Sequence, residues 1–234
     1  MALDEAFFNL NSPATLRFYS WEKPTLSLGC FQKINNDIVR KCEKSGIDIV
    51  RRPTGGRAIL HQSEITYSVS AAYDDFPSPS TLREIYKTLG LWQVRSLASL
   101  GIEASMSGKN DGKNDYSKND SCFLTSTPYE VAVQGKKICG SAQKRGKQNF
   151  LQHGSLLIDV DADLFLSLYS DDLQVNESFT YLRKENISAS KNEIIEVMSE
   201  NFSHIIGCKL ERGVLSYEEI KEKNRLDRMN RIIS

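Results

Sequence analysis

The alternation of apolar and polar residues divides the chain into short strands and amphipathic helices. Residues 1–10, MALDEAFFNL, carry apolar side chains at helical spacing and stop at Asn11-Ser12-Pro13, which predicts an opening helix. Residues 16–19 and 25–29 read as strands separated by a turn around Glu22-Lys23-Pro24. A short polar helix is expected over 36–44, ending at Gly46, with strand 47–51 after it. Beyond the loop Pro53-Thr54-Gly55-Gly56, strand material resumes at 58–60 and 65–71. The longest helical pattern, 80–100, sets Thr81, Ile85, Leu89, Trp92, Leu97 and Leu100 toward one side.

Residues 105–120 break this pattern. Lys-Asn-Asp recurs at 109–111, 113–115 and 118–120 among glycines and serines, with no period that a packed element can use. A flexible surface insertion is expected there, or a flap beside a site. Antiparallel strands are predicted at 129–133, 138–143 and 150–160, with turns at Gln134-Gly135 and Gly146-Lys147. Residues 163–169 and 191–206 look helical, and 216–232 forms a charged helix whose Ser216 and Glu219 have capping-box spacing. Strands outnumber crossover helices and no linker divides the chain. The expectation is one α/β (α+β) domain over residues 1–234, with a mixed, largely antiparallel sheet flanked by helices.

Composition narrows the function classes. Thirty basic and thirty acidic side chains cancel, so no basic excess exists to release counterions from nucleic acid. The apolar runs are too short to span a bilayer, and the first residues, which include Asp4 and Glu5, lack the basic start of a secretory signal. A cytoplasmic protein that binds neither nucleic acid nor membrane is expected. The five cysteines (Cys30, Cys42, Cys122, Cys139 and Cys208) are scattered without CxxC spacing, which suggests neither a disulfide frame nor a metal site.

Two segments carry chemistry. In Arg51-Arg52-Pro53-Thr54-Gly55-Gly56-Arg57, followed by His61, the paired glycines let backbone approach a ligand, and N–H groups there can hold a carbonyl or phosphate oxygen. The flanking arginines would add charge-assisted donors. A hairpin turn with solvated arginines fits the same pattern. The second segment runs Gly135-Lys136-Lys137-Ile138-Cys139-Gly140-Ser141-Ala142-Gln143 and continues to His153-Gly154-Ser155. Alternation sets Lys137 and Cys139 on one strand face, so one of the two lysines must point inward. Packed roles for His153 and Cys139 fit equally.

Taken together and in this order, the segments resemble the lipoate–protein ligase and octanoyltransferase family, which shows RRxxGGxxxxH, then GKKxxGSAQ, then a histidine-glycine-serine strand. MALDEA and residues 16–32 also look like that family, and the resemblance covers roughly residues 1–170. A strand and short loop usually precede MALDEA in the family, whereas Met1 stands at that point here. The resemblance implies a fold related to the catalytic domain of biotin–protein ligases and the handling of a medium-chain acyl group destined for a lysine of a lipoyl domain. Ser121-Cys122-Phe123, upstream of the predicted 129–133 strand, resembles the branch that passes octanoate through a cysteine and needs no ATP. Arg57 after the glycine pair looks like the same branch. Cys139 sits where the family has a small or apolar residue, which implies packing.

The expected function is therefore transfer of octanoate from octanoyl-acyl carrier protein, through a Cys122 thioester, to a lipoyl domain such as the glycine cleavage H protein, with no cofactor. Cys122 and Lys137 are the expected catalytic residues. Arg51, Arg52, Gly55, Gly56, His61, Gly140, Ser141 and His153 are the expected substrate-binding residues. An ammonium near Cys122 would favour the thiolate, since an ordinary thiol is only a few per cent ionised at neutral pH. Lys137 would act there, or deprotonate the incoming amine. Backbone at Gly55-Gly56 or Gly140-Ser141 would hold the carbonyl oxygen. The alternatives are an ATP-dependent lipoate–protein ligase, a related amidotransferase, and a non-catalytic binding module of the same fold.

Overall fold

The computed structural model describes residues 1–76, 81–106, 130–169 and 178–233. Helix α1 (Ala2–Leu10) ends where Asn11 turns left-handed at φ 49°. Strands β1 (Thr15–Tyr19) and β2 (Thr25–Leu28) follow, then α2 (Asn36–Lys44), β3 (Asp48–Arg51), β4 (Ile59–His61) and β5 (Ser63–Ala72). Helix α3 (Leu82–Ser99) starts at a reciprocal Thr81–Glu84 capping box. Next come β6 (Ser105–Met106), β7 (Val131–Val133), β8 (Lys136–Arg145), β9 (Asn149–Asp159) and α4 (Ala162–Tyr169). Helices α5 (Lys191–Ile206) and α6 (Tyr217–Asn230), each opened by a capping box, and strand β10 (Arg231–Ile233) complete the chain.

The expected mixed, largely antiparallel sheet is present as two sheets. One has six strands in the order β1-β5-β9-β8-β7-β6, antiparallel throughout. The other has four in the order β10-β3-β2-β4. Its β2 and β3 run parallel because α2 forms the crossover between them. Gln134 and Gly135, at φ 48° and 79°, make the tight turn from β7 to β8.

Two expectations are corrected. Ser105 and Met106, placed in the insertion by sequence, pair with Ala132 and Val131 as strand β6. The rest of that insertion lies outside the described residues. The last helix stops at Asn230 rather than running to residue 232, because Arg231 turns extended and pairs with Val50 along the edge of β3. Nothing local in three residues announces that pairing.

One core lies between the six-stranded sheet and helices α3 and α5, around the fully buried Trp92. Its ring meets Tyr67 and Phe202 edge-on, and its indole N–H donates to Met198 O at 2.7 Å. A second core joins Leu26, Leu28 and Ile49 of the smaller sheet to Leu157, Phe165 and Phe179. Strand β5 sends Ile65, Tyr67, Val69 and Ala71 into the first core. Its other face, Glu64, Thr66, Ser68 and Ser70, is also buried. Contacts from Asp4 of α1, Trp21 and His61 cover that polar face. Polar groups buried this way must bond one another, and they build the site.

Candidate active site

Strand β3 runs into the Arg51–Arg57 loop, where Arg52 turns back to hold the loop and Arg51 holds the neighbouring Gly29–Gln32 turn. The Arg52 guanidinium is buried under the loop. Nη2 donates to Gly55 O at 2.8 Å and Arg57 O at 2.6 Å, and Nη1 donates to Ser27 O at 2.8 Å. Arg51 Nη1 donates to Gly29 O and Gln32 O, both at 2.8 Å, and so fixes the neighbouring turn. A Cβ at Gly29 would overlap the Gly56 carbonyl, so the two backbones meet only because residue 29 has no side chain. Gly56 sits at φ 90°. The sequence pattern left the arginine donors open between a bound oxygen and solvent. In the structure those of Arg51 and Arg52 bond backbone carbonyls, and the glycine pair sits on the buried Arg52 cation.

The two expected histidines close the polar layer behind this loop. His153 on β9 pairs through Nε2 with Thr54 Oγ1 at 2.6 Å, which ties β9 to the loop. Its Nδ1 has no hydrogen-bond partner among the described residues and lies 3.8 Å from Asp4 Oδ2. Burial holds the imidazole below its ordinary pKa, against the pull of Asp4. Asp4 is fully buried and accepts from Arg17 Nη2 at 2.6 Å, Tyr19 OH at 2.7 Å and Ser68 Oγ at 2.7 Å. Burial pushes its carboxyl up, but the Met1 ammonium and Arg17 outweigh burial and hold it well below the ordinary range.

His61 at the end of β4 lies in a second buried cluster. Nδ1 meets Glu64 Oε1 at 2.5 Å, Nε2 meets Ser27 Oγ at 2.8 Å, and Trp21 stacks on the ring at 4.3 Å. Ser155 and Thr66 also donate to Glu64 Oε1, at 2.8 and 2.6 Å. Ser27, Arg52, Ile59, His61, Ala142, His153 and Ser155 border one small void between the sheets. The glycine loop, His61, His153 and β8 thus converge. Asp4, Ser27, Thr54 and Glu64 complete that convergence and were not singled out by sequence.

Strand β8 carries the remaining expected residues on two environments. Ser141 bonds Tyr67 OH at 2.7 Å on the side of α3, and its carbonyl accepts from Tyr86 OH at 3.1 Å. A Cβ at Gly154 would overlap Gly140 O and press on the Tyr67 ring, so the histidine-glycine-serine strand needs glycine to lie against β8. Near the start of β8, the register with β7 shifts between Val131 and Ala132, so simple alternation does not run unbroken past Lys137 and Cys139. Lys137 Nζ donates to Glu130 Oε1 at 2.5 Å, and both side chains are buried. Glu130 is a further residue the sequence reading passed over. Cys139 packs in the first core, and burial pushes its thiol up to about 12. Cys122, the expected nucleophile, lies outside the described residues.

Two sheets enclose a buried polar layer with a glycine loop at its rim, in a mixed α/β domain. Solved structures share this architecture. Protein Ta0514 of T. acidophilum with bound lipoic acid superposes with a TM-score of 0.81 at 21% identity, covering 97% of this chain and 88% of that one. Lipoate-protein ligase A bound with ATP superposes at 0.78 with 22% identity, covering 96% and 87%. At that identity the likeness concerns fold. Residues 1–203 match the lipoyl protein ligase A/B catalytic domain, and the chain belongs to that family. Among its relatives, octanoyltransferase LipM of Brevibacillus brevis is 36% identical over 239 residues, 94% of this chain and 87% of the relative. The LipM proteins of Kyrpidia tusciae and Bacillus subtilis are 36% and 34% identical, covering 97% and 94% of this chain and 89% and 86% of theirs.

Proposed function

We propose that this chain is an octanoyltransferase of lipoate biosynthesis, a single catalytic domain that works in the cytoplasm. It takes octanoate from acyl carrier protein onto Cys122 as a thioester and delivers it to a lysine of a lipoyl domain such as the glycine cleavage H protein. The observation that supports this most is the identity to octanoyltransferases along nearly the whole chain, joined to a buried lysine at the head of GKKICGSAQ. Among the described residues no helix is long and apolar enough to cross a membrane.

The chemistry follows from the residues. Exchange of one thioester for another is nearly neutral in free energy and needs no nucleotide. Aminolysis of the second thioester is strongly downhill. Lys137 supplies positive charge in a low-dielectric site, where it favours thiolate over thiol. The Gly55–Gly56 backbone, seated over the Arg52 cation, faces the developing oxyanion. His61 and His153 border the acyl site from its polar side, Gly140 and Ser141 fix the strand beside it, and Arg51 holds its rim.

Intact-mass analysis after mixing with octanoyl-acyl carrier protein, without ATP, tests this reading. One octanoyl mass labile to neutral hydroxylamine is expected, followed by its transfer to a lipoyl domain. Absence of the adduct, together with modification of the lipoyl domain from free lipoate and ATP, would replace this reading with an ATP-dependent ligase.

A further inference from the structure

Glu130 directly precedes β7, and the β7–β8 hairpin folds it back onto Lys137. Each of the two residues is only 5% exposed. An ion pair withdrawn this far from water gains little stability over an apolar pair of similar volume. Its presence at this point therefore indicates a requirement for charge.

We propose that Glu130 is a positioning residue that holds Lys137 in one rotamer as an ammonium for acyl transfer. This rests on the octanoyltransferase reading above and decides between the two roles open to the lysine. Lys137 acts as a fixed cation for acyl transfer, and is not the base for the incoming amine. A buried lysine without an anion readily loses its proton, by up to several pH units, and a carboxylate at hydrogen-bond distance opposes that loss.

Among the described residues, Cys139, Glu64 and Glu185 do not take the place of Glu130. Cys139, two residues along β8, stays a neutral thiol, and Glu64 on β5 is engaged with His61. Glu185 takes the hydroxyl of Thr180, whose N–H donates to Lys137 O. The proton account closes without deprotonating Lys137. The neutral acceptor amine forms the C–N bond, the C–S bond breaks, and the departing thiolate takes the proton that the new amide nitrogen loses. Amide and thiol result, and Lys137 keeps its charge throughout.

Two readouts test the inference on the full chain. Lysine 13Cε resonances are titrated by NMR in wild type, Glu130→Gln and Glu130→Asp, with the Lys137 signal assigned through Lys137→Arg. The pH profile of octanoyl transfer is measured in parallel. Glu130→Gln should lower the Lys137 midpoint by about one unit or more and move the alkaline limb of transfer down by the same interval. Glu130→Asp should keep both close to wild type. If Glu130→Gln does not fold, Glu130→Ala assayed with added formate takes its place, and recovery of rate with formate is expected.

An unchanged Lys137 midpoint in Glu130→Gln overturns the pairing. A rate lowered equally at every pH reduces Glu130 to a packing role and overturns the inference. The lysine titration needs no substrate, so its result is independent of the function. A wild type inert toward octanoyl-acyl carrier protein would overturn the octanoyltransferase reading and the catalytic part of this inference together.

Discussion

One cysteine lies upstream of the family's central strand motif and another inside it, and the burial of the second predicts that it is not the one acylated. Cys139 is 1% exposed, and burial pushes its thiol up to about 12. At pH 7.5 a thiol with that pKa is ionised in only about 1 molecule in 30,000, whereas an ordinary thiol near 8.5 is about one-tenth thiolate. Attack by Cys139 is therefore disfavoured by a factor of about 3,000 before access is considered. With octanoyl-acyl carrier protein and no ATP, Cys139→Ser should keep the hydroxylamine-labile adduct, and Cys122→Ser should lose it. Lys137→Ala should slow adduct formation more at pH 7 than at pH 9, because alkali restores thiolate without help from an ammonium. An adduct that survives Cys122→Ser and disappears in Cys139→Ser would refute the reasoning, since it would require a buried, neutral thiol to outcompete the other.

Two further substitutions test the frame around the site. Gly154→Ala places a methyl group on the Gly140 carbonyl and the Tyr67 ring, so it should cost about 1–3 kcal/mol, read as a lowered melting temperature or urea midpoint. A variant as stable as wild type would show that β8 and β9 can part without penalty. Asp4→Asn removes a buried carboxylate from Arg17 and should destabilise by about 3 kcal/mol at pH 6. Because Asp4 has a folded pKa below its unfolded value, its contribution is complete above about pH 4 and is lost as pH falls from there through the folded pKa. The gap between wild type and Asp4→Asn should narrow over that window, and a constant gap would contradict the assignment.

Local signals carried most of the element order. Turn glycines, capping boxes at Ser216–Glu219 and apolar periodicity are short-range, and the helices and strands fall close to where they predict. Pairings across the fold were not legible. Residues 231–233 become β10 only because β3 offers an edge. The alternation of Glu64, Thr66, Ser68 and Ser70 with apolar residues reads as a strand with one wet face. That face is dry because Asp4, Trp21 and His61 arrive from distant segments. The glycine loop was recognisable from its residues, but the direction of its arginines was not. A guanidinium bonded to backbone carbonyls has the same sequence signature as one waiting for a ligand.

The polar layer also gives a physical reason for the opening MALDEA motif, which contains no nucleophile and no base suited to the chemistry. Its Asp4 lies beside the Nδ1 edge of His153, and the opposite nitrogen of that ring bonds Thr54, the residue before the glycine pair. Thr54 O in turn accepts from Cys30 N at 2.9 Å, in the turn that Arg51 fixes. The helix, the β9 histidine and the glycine loop are therefore consecutive links in one buried chain of contacts. His153 and Thr54 are both buried and bonded to one another, so displacing either leaves its partner unsatisfied at a cost of about 1–3 kcal/mol. This coupling lets residues from opposite ends of the sequence hold two glycines in a fixed position. A site that must stabilise developing charge depends on such fixation, because donors that reorganise during the reaction lose most of their effect.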